Sequence, residues 1–190
     1  MHAYLPEPPP TAQYTRLDGL LPVDPTTEAI TEEALHTYIA VSLEMMQRTG
    51  GNLSIVAVSL DESPLLQFLG MEGSQLIARS LAQYLRQESR LYDVVGSLST
   101  REQQVYPTMV LVAPLSNEAQ ATSLAKRVCE RMHYTHAHEQ RPWISLSIGV
   151  TASRWDTASP VDLLTQADNA RQHAEGEGGG RIIRYSQIYS

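Results

Sequence analysis

Three features of the sequence have residue types and spacings that could do chemistry. His133, His136 and His138, with Glu139 beside them, gather imidazoles and a carboxylate that could ligate a metal if the segment folded back on itself. The pattern places them in a connector between a helix and a strand, where exposed histidines are ordinary. No second cluster of cysteines or acids completes a coordination shell, so no metal is expected there. The glycine-rich run 176–180 invites a phosphate-cradle reading, but no Lys-Ser/Thr follows it and it comes after a helix rather than before one. A helix stop is the better account. The single cysteine, Cys129, excludes an intrachain disulfide and, in a helix-like stretch, reads as an inert small hydrophobe in a reducing compartment.

The elements that must position any site follow from periodicity and punctuation. Residues 1–20 carry Pro6, Pro8, Pro9 and Pro10 and read as a Pro-rich arm or linker, leaving 21–190 as one domain. Thr31 to Arg48 has helical spacing through Leu35, Ile39, Leu43 and Met46, with Thr31 as N-cap and Gly50-Gly51 as a stop. Leu53 to Leu60, LSIVAVSL, is a buried strand. Leu65 to Glu88 is helical, with a stripe of Leu76, Ile77, Leu81 and Leu85, and is interrupted near Gly70 and Gly73.

Asp93 to Leu98 and Pro107 to Ala113 form a hairpin with a long polar tip. A helix over Glu118 to Met132, a strand over Trp143 to Ala152, a helix over Pro160 to Ala174 and a short strand over Arg181 to Tyr185 complete the order. Trp143 and Trp155 flank that fourth strand and read as closing the core edge. The order α-β-α-β-β-α-β-α-β gives an α/β architecture, a central mixed sheet flanked by helices.

Composition removes several function classes. The formal net charge is −7, and among the cationic residues only Lys126 is lysine. No basic cluster is present to meet nucleic-acid phosphates, so no nucleic-acid partner is expected. No apolar run reaches the roughly 20 residues that span a bilayer, and the N-terminus has no signal-peptide pattern, so membrane insertion is not expected and the expected location is cytoplasmic.

Several strings, in order, resemble the GGDEF domain family, whose palm-type α+β fold condenses two GTP into cyclic di-GMP in its active members. Asp24-Pro25-Thr26-Thr27 is similar to the family's opening DPLT, and Ser59-Leu60-Asp61 to the strand end that leads into DxDxFK. Ser145 to Thr151, SLSIGVT, resembles TxSIGVA, and Ala167-Asp168-Asn169-Ala170 resembles the start of ADxALYxAK. The resemblance runs from about residue 18 to the end.

The resemblance implies metal-assisted phosphoryl transfer, in which converging carboxylates hold divalent cations against the triphosphate. The matching positions have lost much of that equipment. Asp61 keeps the first acid of DxD, with Glu62 next to it, but Ser63 stands at the second acid and Leu66 at the lysine. The signature loop is Ser99 to Gln104, without glycines. Arg101 falls near the metal-binding acid, where a cation repels magnesium, and Glu102 is the one acid left in the loop. Ser74 stands at the guanine-contacting aspartate, and Glu175 at the phosphate-contacting lysine. The expectation is a vestigial site without catalysis and without a cofactor, magnesium entering only with a nucleotide in the old cleft.

Arg90-Leu91-Tyr92-Asp93 matches the family's RxxD motif, which implies an inhibitory-type site for cyclic di-GMP away from the catalytic face. Arginine offers a forked donor to phosphate or a guanine edge, and aspartate accepts a guanine N–H. The same pair elsewhere is often a solvated ion pair of little weight. Three functions stand against one another. The first is a cyclic di-GMP receptor using Arg90 and Asp93. The second is a nucleotide-independent scaffold that homodimerises or docks a protein partner through the first helix or the arm. The third is an unorthodox nucleotide enzyme that uses Asp61, Glu62 and Glu102 around one metal.

Overall fold

The computed structural model describes residues 16–98, 106–138, 144–154 and 159–188. Five strands form one sheet in the order β2-β3-β1-β4-β5: β1 (Leu53–Leu60), β2 (Val94–Leu98), β3 (Thr108–Pro114), β4 (Leu146–Ala152) and β5 (Ile182–Arg184). Pairing is antiparallel except between β4 and β5, so the sheet is mixed, as the element order requires. Every residue of β1 is buried, because both faces of this central strand are covered.

Val56, Val58 and Leu60 point into a core built with α2 (Pro64–Glu88) and α3 (Glu118–His138), through Leu81, Leu85, Val128 and Met132. Leu53, Ile55 and Ala57 face the other way, onto Leu35, Ile39 and Leu43 of α1 (Glu32–Thr49) and Leu163 and Ala167 of α4 (Pro160–Gly176). A short α5 (Tyr185–Ile188) follows β5. No helix among the described residues is long and apolar enough to cross a membrane.

Local chemistry explains the boundaries. Thr31 caps α1 by accepting the Ala34 N–H, and Gly50 ends it at φ 71°, a left-handed position suited to glycine. Ser63 caps α2 in the same way through the Leu66 N–H, with Pro64 in the first turn. Within α2 the break is at Gly70 alone, at φ 64° and ψ −165°, and Gly73 stays helical.

Four expectations are corrected. Leu76 is 63% exposed, because the buried stripe of α2 runs through Ala78, Leu81, Ala82 and Leu85, with Ile77 packed partly against it. The helix α3 continues to His138, since nothing between Met132 and there breaks a helix. His133, His136 and His138 therefore lie on a helix rather than in a connector, although their side chains, with Glu139, Trp143 and Trp155, lie outside the described residues. β4 begins at Leu146, later than expected. Residues 16–20 are docked rather than part of a free arm: Leu17–Leu20 make a 3-10 turn and Asp18 is 2% exposed.

Candidate functional site

The strand end at Asp61 is built for packing. Asp61 Oδ1 accepts from the Ser147 hydroxyl at 2.5 Å, and Oδ2 accepts from the Gly180 N–H at 2.8 Å. The glycine loop folds over this carboxylate so closely that a Cβ on Gly179 would come within 2.5 Å of Oδ2. Each carboxylate oxygen thus accepts one hydrogen bond from the chain itself. Glu62 points to the other side, into an open cleft that Asp61 does not line.

Ser63 spends its hydroxyl on the α2 cap, and Ser74 donates to the carbonyl of Gly70 at 2.6 Å, next to the kink. Arg101 and Glu102 lie outside the described residues. No group of three or more His, Cys, Asp or Glu among the described residues is arranged to hold a metal.

Glu175 carries the same message at the end of α4. Its Oε2 accepts from Arg171 Nη1 at 2.9 Å. The guanidinium of Arg171 is 1% exposed and also donates to Asp168 Oδ1 and the Ser59 hydroxyl, leaving Nη2 with no hydrogen-bond partner among the described residues. An internal cation therefore ties down the region that the resemblance assigns to phosphate. The signal was visible in the sequence: a charged residue stands where ADxALYxAK has leucine, on the apolar side of a helix. Arg171→Lys, which cannot reach all three acceptors at once, is expected to cost about 2 kcal/mol in urea unfolding; an unchanged midpoint would refute this role.

Arg90 and Asp93 are brought together in the turn between α2 and β2. Asp93 Oδ2 accepts the Arg90 backbone N–H at 2.7 Å, and the Asp93 N–H donates to the Arg90 carbonyl. Arg90 is exposed, donates to the Tyr92 hydroxyl at 2.8 Å and lies 5.8 Å from the centre of the Tyr92 ring. Asp93 is 2% exposed, yet its Oδ1 has no hydrogen-bond partner among the described residues. Both residues line a cavity of about 210 Å3 that they share with Glu88, Ser116, Gln120 and Arg127. Arg127, on α3, is a second guanidinium at this wall that the motif alone does not reveal; it pairs with Glu88 at 3.2 Å.

Arg16 fixes this turn from below. It donates to the carbonyls of Arg86, Ser89 and Asp93 and to the Ser89 hydroxyl, while Asp18 holds both Arg16 and Arg86. These partners lie far apart in sequence, so no spacing points to them.

Burial raises the Asp93 carboxyl above the ordinary aspartate value, against the opposing pull of the Arg90 N–H and of the Arg90 and Arg16 charges. A carboxyl that holds its proton more tightly when folded favours folding at low pH, and that contribution is lost as pH rises through the folded value. Asp93→Asn keeps an acceptor for the Arg90 N–H but cannot ionise. It is expected to be at least as stable as the parent at about pH 7 and to lose that advantage below about pH 4, in urea titrations at both pH values. A variant clearly weaker at neutral pH would contradict it. The remaining titratable group of note, the half-buried Cys129 thiol, is pushed by burial up to about 11 and stays protonated near neutrality.

Residues 22–181 match the family described as diguanylate cyclase, GGDEF domain. None of the curated proteins matches the chain in sequence. Among solved structures, the active GGEEF domain of a diguanylate cyclase from Vibrio cholerae superposes with TM-score 0.71 at 19% identity, covering 82% of this chain and 96% of that one. The FimX GGDEF domain from Pseudomonas aeruginosa gives TM-score 0.71 at 18% identity, covering 85% and 98%. A microbial GGDEF domain described for its interaction with cyclic di-GMP gives 0.69 at 18%, covering 88% and 97%. At these identities the structural likeness establishes the palm-type α+β fold.

Proposed function

Because this chain belongs to the GGDEF domain family, we propose that it is a cyclic di-GMP receptor that binds through Arg90 and Asp93 and does not synthesise the dinucleotide. The observation that carries this reading is the buried Asp93 Oδ1, without a hydrogen-bond partner among the described residues, on the wall of a cavity that Arg90 also lines. An unmet acceptor in a buried place costs stability, and a guanine N–H would satisfy it. Arg90, held over the Tyr92 ring, is placed to donate its fork to phosphate or a guanine edge, and Arg127, paired with Glu88, lines the same cavity. The cavity is smaller than pockets that enclose a whole ligand, so the dinucleotide would insert one end and leave the rest in solvent.

The absence of synthesis rests on the strand end. Asp61 is already satisfied by Ser147 and Gly180, Ser63 and Ser74 are engaged with the backbone of α2, and Glu175 is tied to Arg171. Such a receptor passes a signal on through contacts rather than through chemistry.

The test has two arms. Cyclic di-GMP at about 100 times its Kd is expected to stabilise the fold by about 2.7 kcal/mol, read as a raised Tm. Incubation with GTP and magnesium or manganese is expected to yield no cyclic di-GMP by chromatography. An unmoved Tm would sink the receptor reading, and a product peak would sink the non-catalytic one.

A further inference from the structure

Every backbone carbonyl of the turn that carries Arg90 and Asp93, from Ser89 to Asp93, accepts a hydrogen bond. The Arg90 carbonyl accepts from the Asp93 N–H within the turn, and the Tyr92 carbonyl accepts from the Tyr38 hydroxyl of α1 at 2.6 Å. The other three are met by two consecutive residues of one segment. The Arg16 guanidinium donates to the Ser89 and Asp93 carbonyls at 3.3 and 2.8 Å, and the Leu17 N–H donates to the Leu91 carbonyl at 3.1 Å.

Arg16 also grips the base of the turn. The helix α2 ends at Glu88, and the last carbonyls of a helix have no partner within it. Arg16 donates to the Arg86 carbonyl at 2.9 Å and to the Ser89 hydroxyl at 3.1 Å, so a cation from another part of the chain caps the negative end of α2. Its contacts therefore lie on both sides of the turn, ahead of Arg90 and behind Tyr92. Asp18, itself buried, orients it by bridging Arg16 at 3.2 Å and Arg86 at 2.9 Å.

The apolar anchorage of this segment is small. Leu17–Leu20 is a single 3-10 turn, in which Leu17 packs only partly against the core and Leu20 is 71% exposed. A short element with few buried apolar contacts opens locally at a lower free energy than the sheet. When the segment is docked, three carbonyls of the turn are met by it; when it lifts, they lose those partners. Docking of the segment and the geometry of the turn thus form one local equilibrium.

We propose that Arg16 is a positioning residue for the cyclic di-GMP turn, and that docking of residues 16–18 and ligand binding at Arg90 and Asp93 strengthen each other. The inference rests on the receptor reading above and adds its regulation. Whatever draws the segment off the turn lowers affinity, and a bound ligand holds the segment down. A turn already held in its binding geometry loses less conformational freedom when the ligand arrives. Linkage makes the two effects equal in factor.

Arg16→Ala and Arg79→Ala in the full chain, read by amide hydrogen exchange and isothermal titration, test it. Arg79 ties α2 to the carbonyls of Pro25 and Thr26 and carries the same charge, but makes no contact with residues 89–93 among those described. Without ligand, the Arg90 and Asp93 N–H groups are expected to exchange about tenfold faster in Arg16→Ala than in the parent, measured relative to the β1 amides, and at an unchanged ratio in Arg79→Ala. With cyclic di-GMP, exchange at the parent's Leu17 N–H is expected to slow about tenfold, and Arg16→Ala to bind more weakly by the same factor. Arg79→Ala is expected to bind as the parent does. Arg16→Lys keeps the charge without the planar fork and is expected to stay weaker than the parent.

The proposal is overturned, with the receptor reading intact, if the parent binds but Leu17 exchange does not respond, if Arg16→Ala or Arg16→Lys binds as the parent does, or if Arg79→Ala weakens binding equally. Equal acceleration of the turn and β1 amides in Arg16→Ala also overturns it, by making Arg16 a support of the whole fold. A parent that gives no heat with cyclic di-GMP overturns the receptor reading itself, and the coupling with it.

Discussion

Gly149→Ala is expected to destabilise the protein by about 3 kcal/mol or more, the largest effect of any single methyl group in this fold. Gly149 lies mid-strand in β4, opposite Ala57, and α4 passes directly over it. A Cβ there would come within 2.0 Å of the Ala167 carbonyl oxygen and 2.3 Å of the Arg171 nitrogen. Both are backbone atoms, so no rotamer change relieves the clash; the helix must lift. Lifting α4 opens the contacts of Leu163 and Ala167 with β1 and loosens the Arg171 cluster over Ser59. Gly176→Ala is the control, since a Cβ there meets nothing within 4 Å. Urea unfolding of both variants decides the matter: a loss under about 1 kcal/mol for Gly149→Ala would contradict the close approach of α4 to the sheet.

The same residue illustrates what sequence reading captures. Gly149 sits in the SIGVT string, and that string, with LSIVAVSL and the Thr31 and Gly50 boundaries of α1, placed three elements close to where they lie. These signals are local, and local signals survive folding. What was not legible depends on distant partners. Arg16 is assigned to an arm by composition, yet it bridges to residues far along the chain, at Arg86, Ser89 and Asp93. Asp61 is legible as an acid at a strand end, but only the fold reveals that Ser147 and Gly180 take up its oxygens.

Leu76 misleads for a related reason. Leucine is counted as core by periodicity, whereas Ala78 and Ala82 carry the buried stripe and Leu76 joins the exposed apolar group beyond Gly70. The RxxD pair is legible as a motif, while Arg127, contributed by α3, enters the same cavity only through tertiary packing.

Arg90→Ala is expected to weaken cyclic di-GMP binding by about 100-fold or more. A forked guanidinium makes two charge-assisted hydrogen bonds, each worth about 1.5–3 kcal/mol, and the loss of both exceeds two decades in Kd. Arg90 is exposed and its side chain makes polar contact with Tyr92 among the described residues, so the substitution leaves the core undisturbed. Asp93 would remain, still buried and still lacking a partner for Oδ1, which separates loss of the donor from collapse of the cavity. Isothermal titration of the parent and of Arg90→Ala with cyclic di-GMP tests whether this chain is a receptor. Saturable micromolar binding by the parent and no measurable heat from the variant are expected; no heat from the parent, or equal affinity in both proteins, would refute the receptor function.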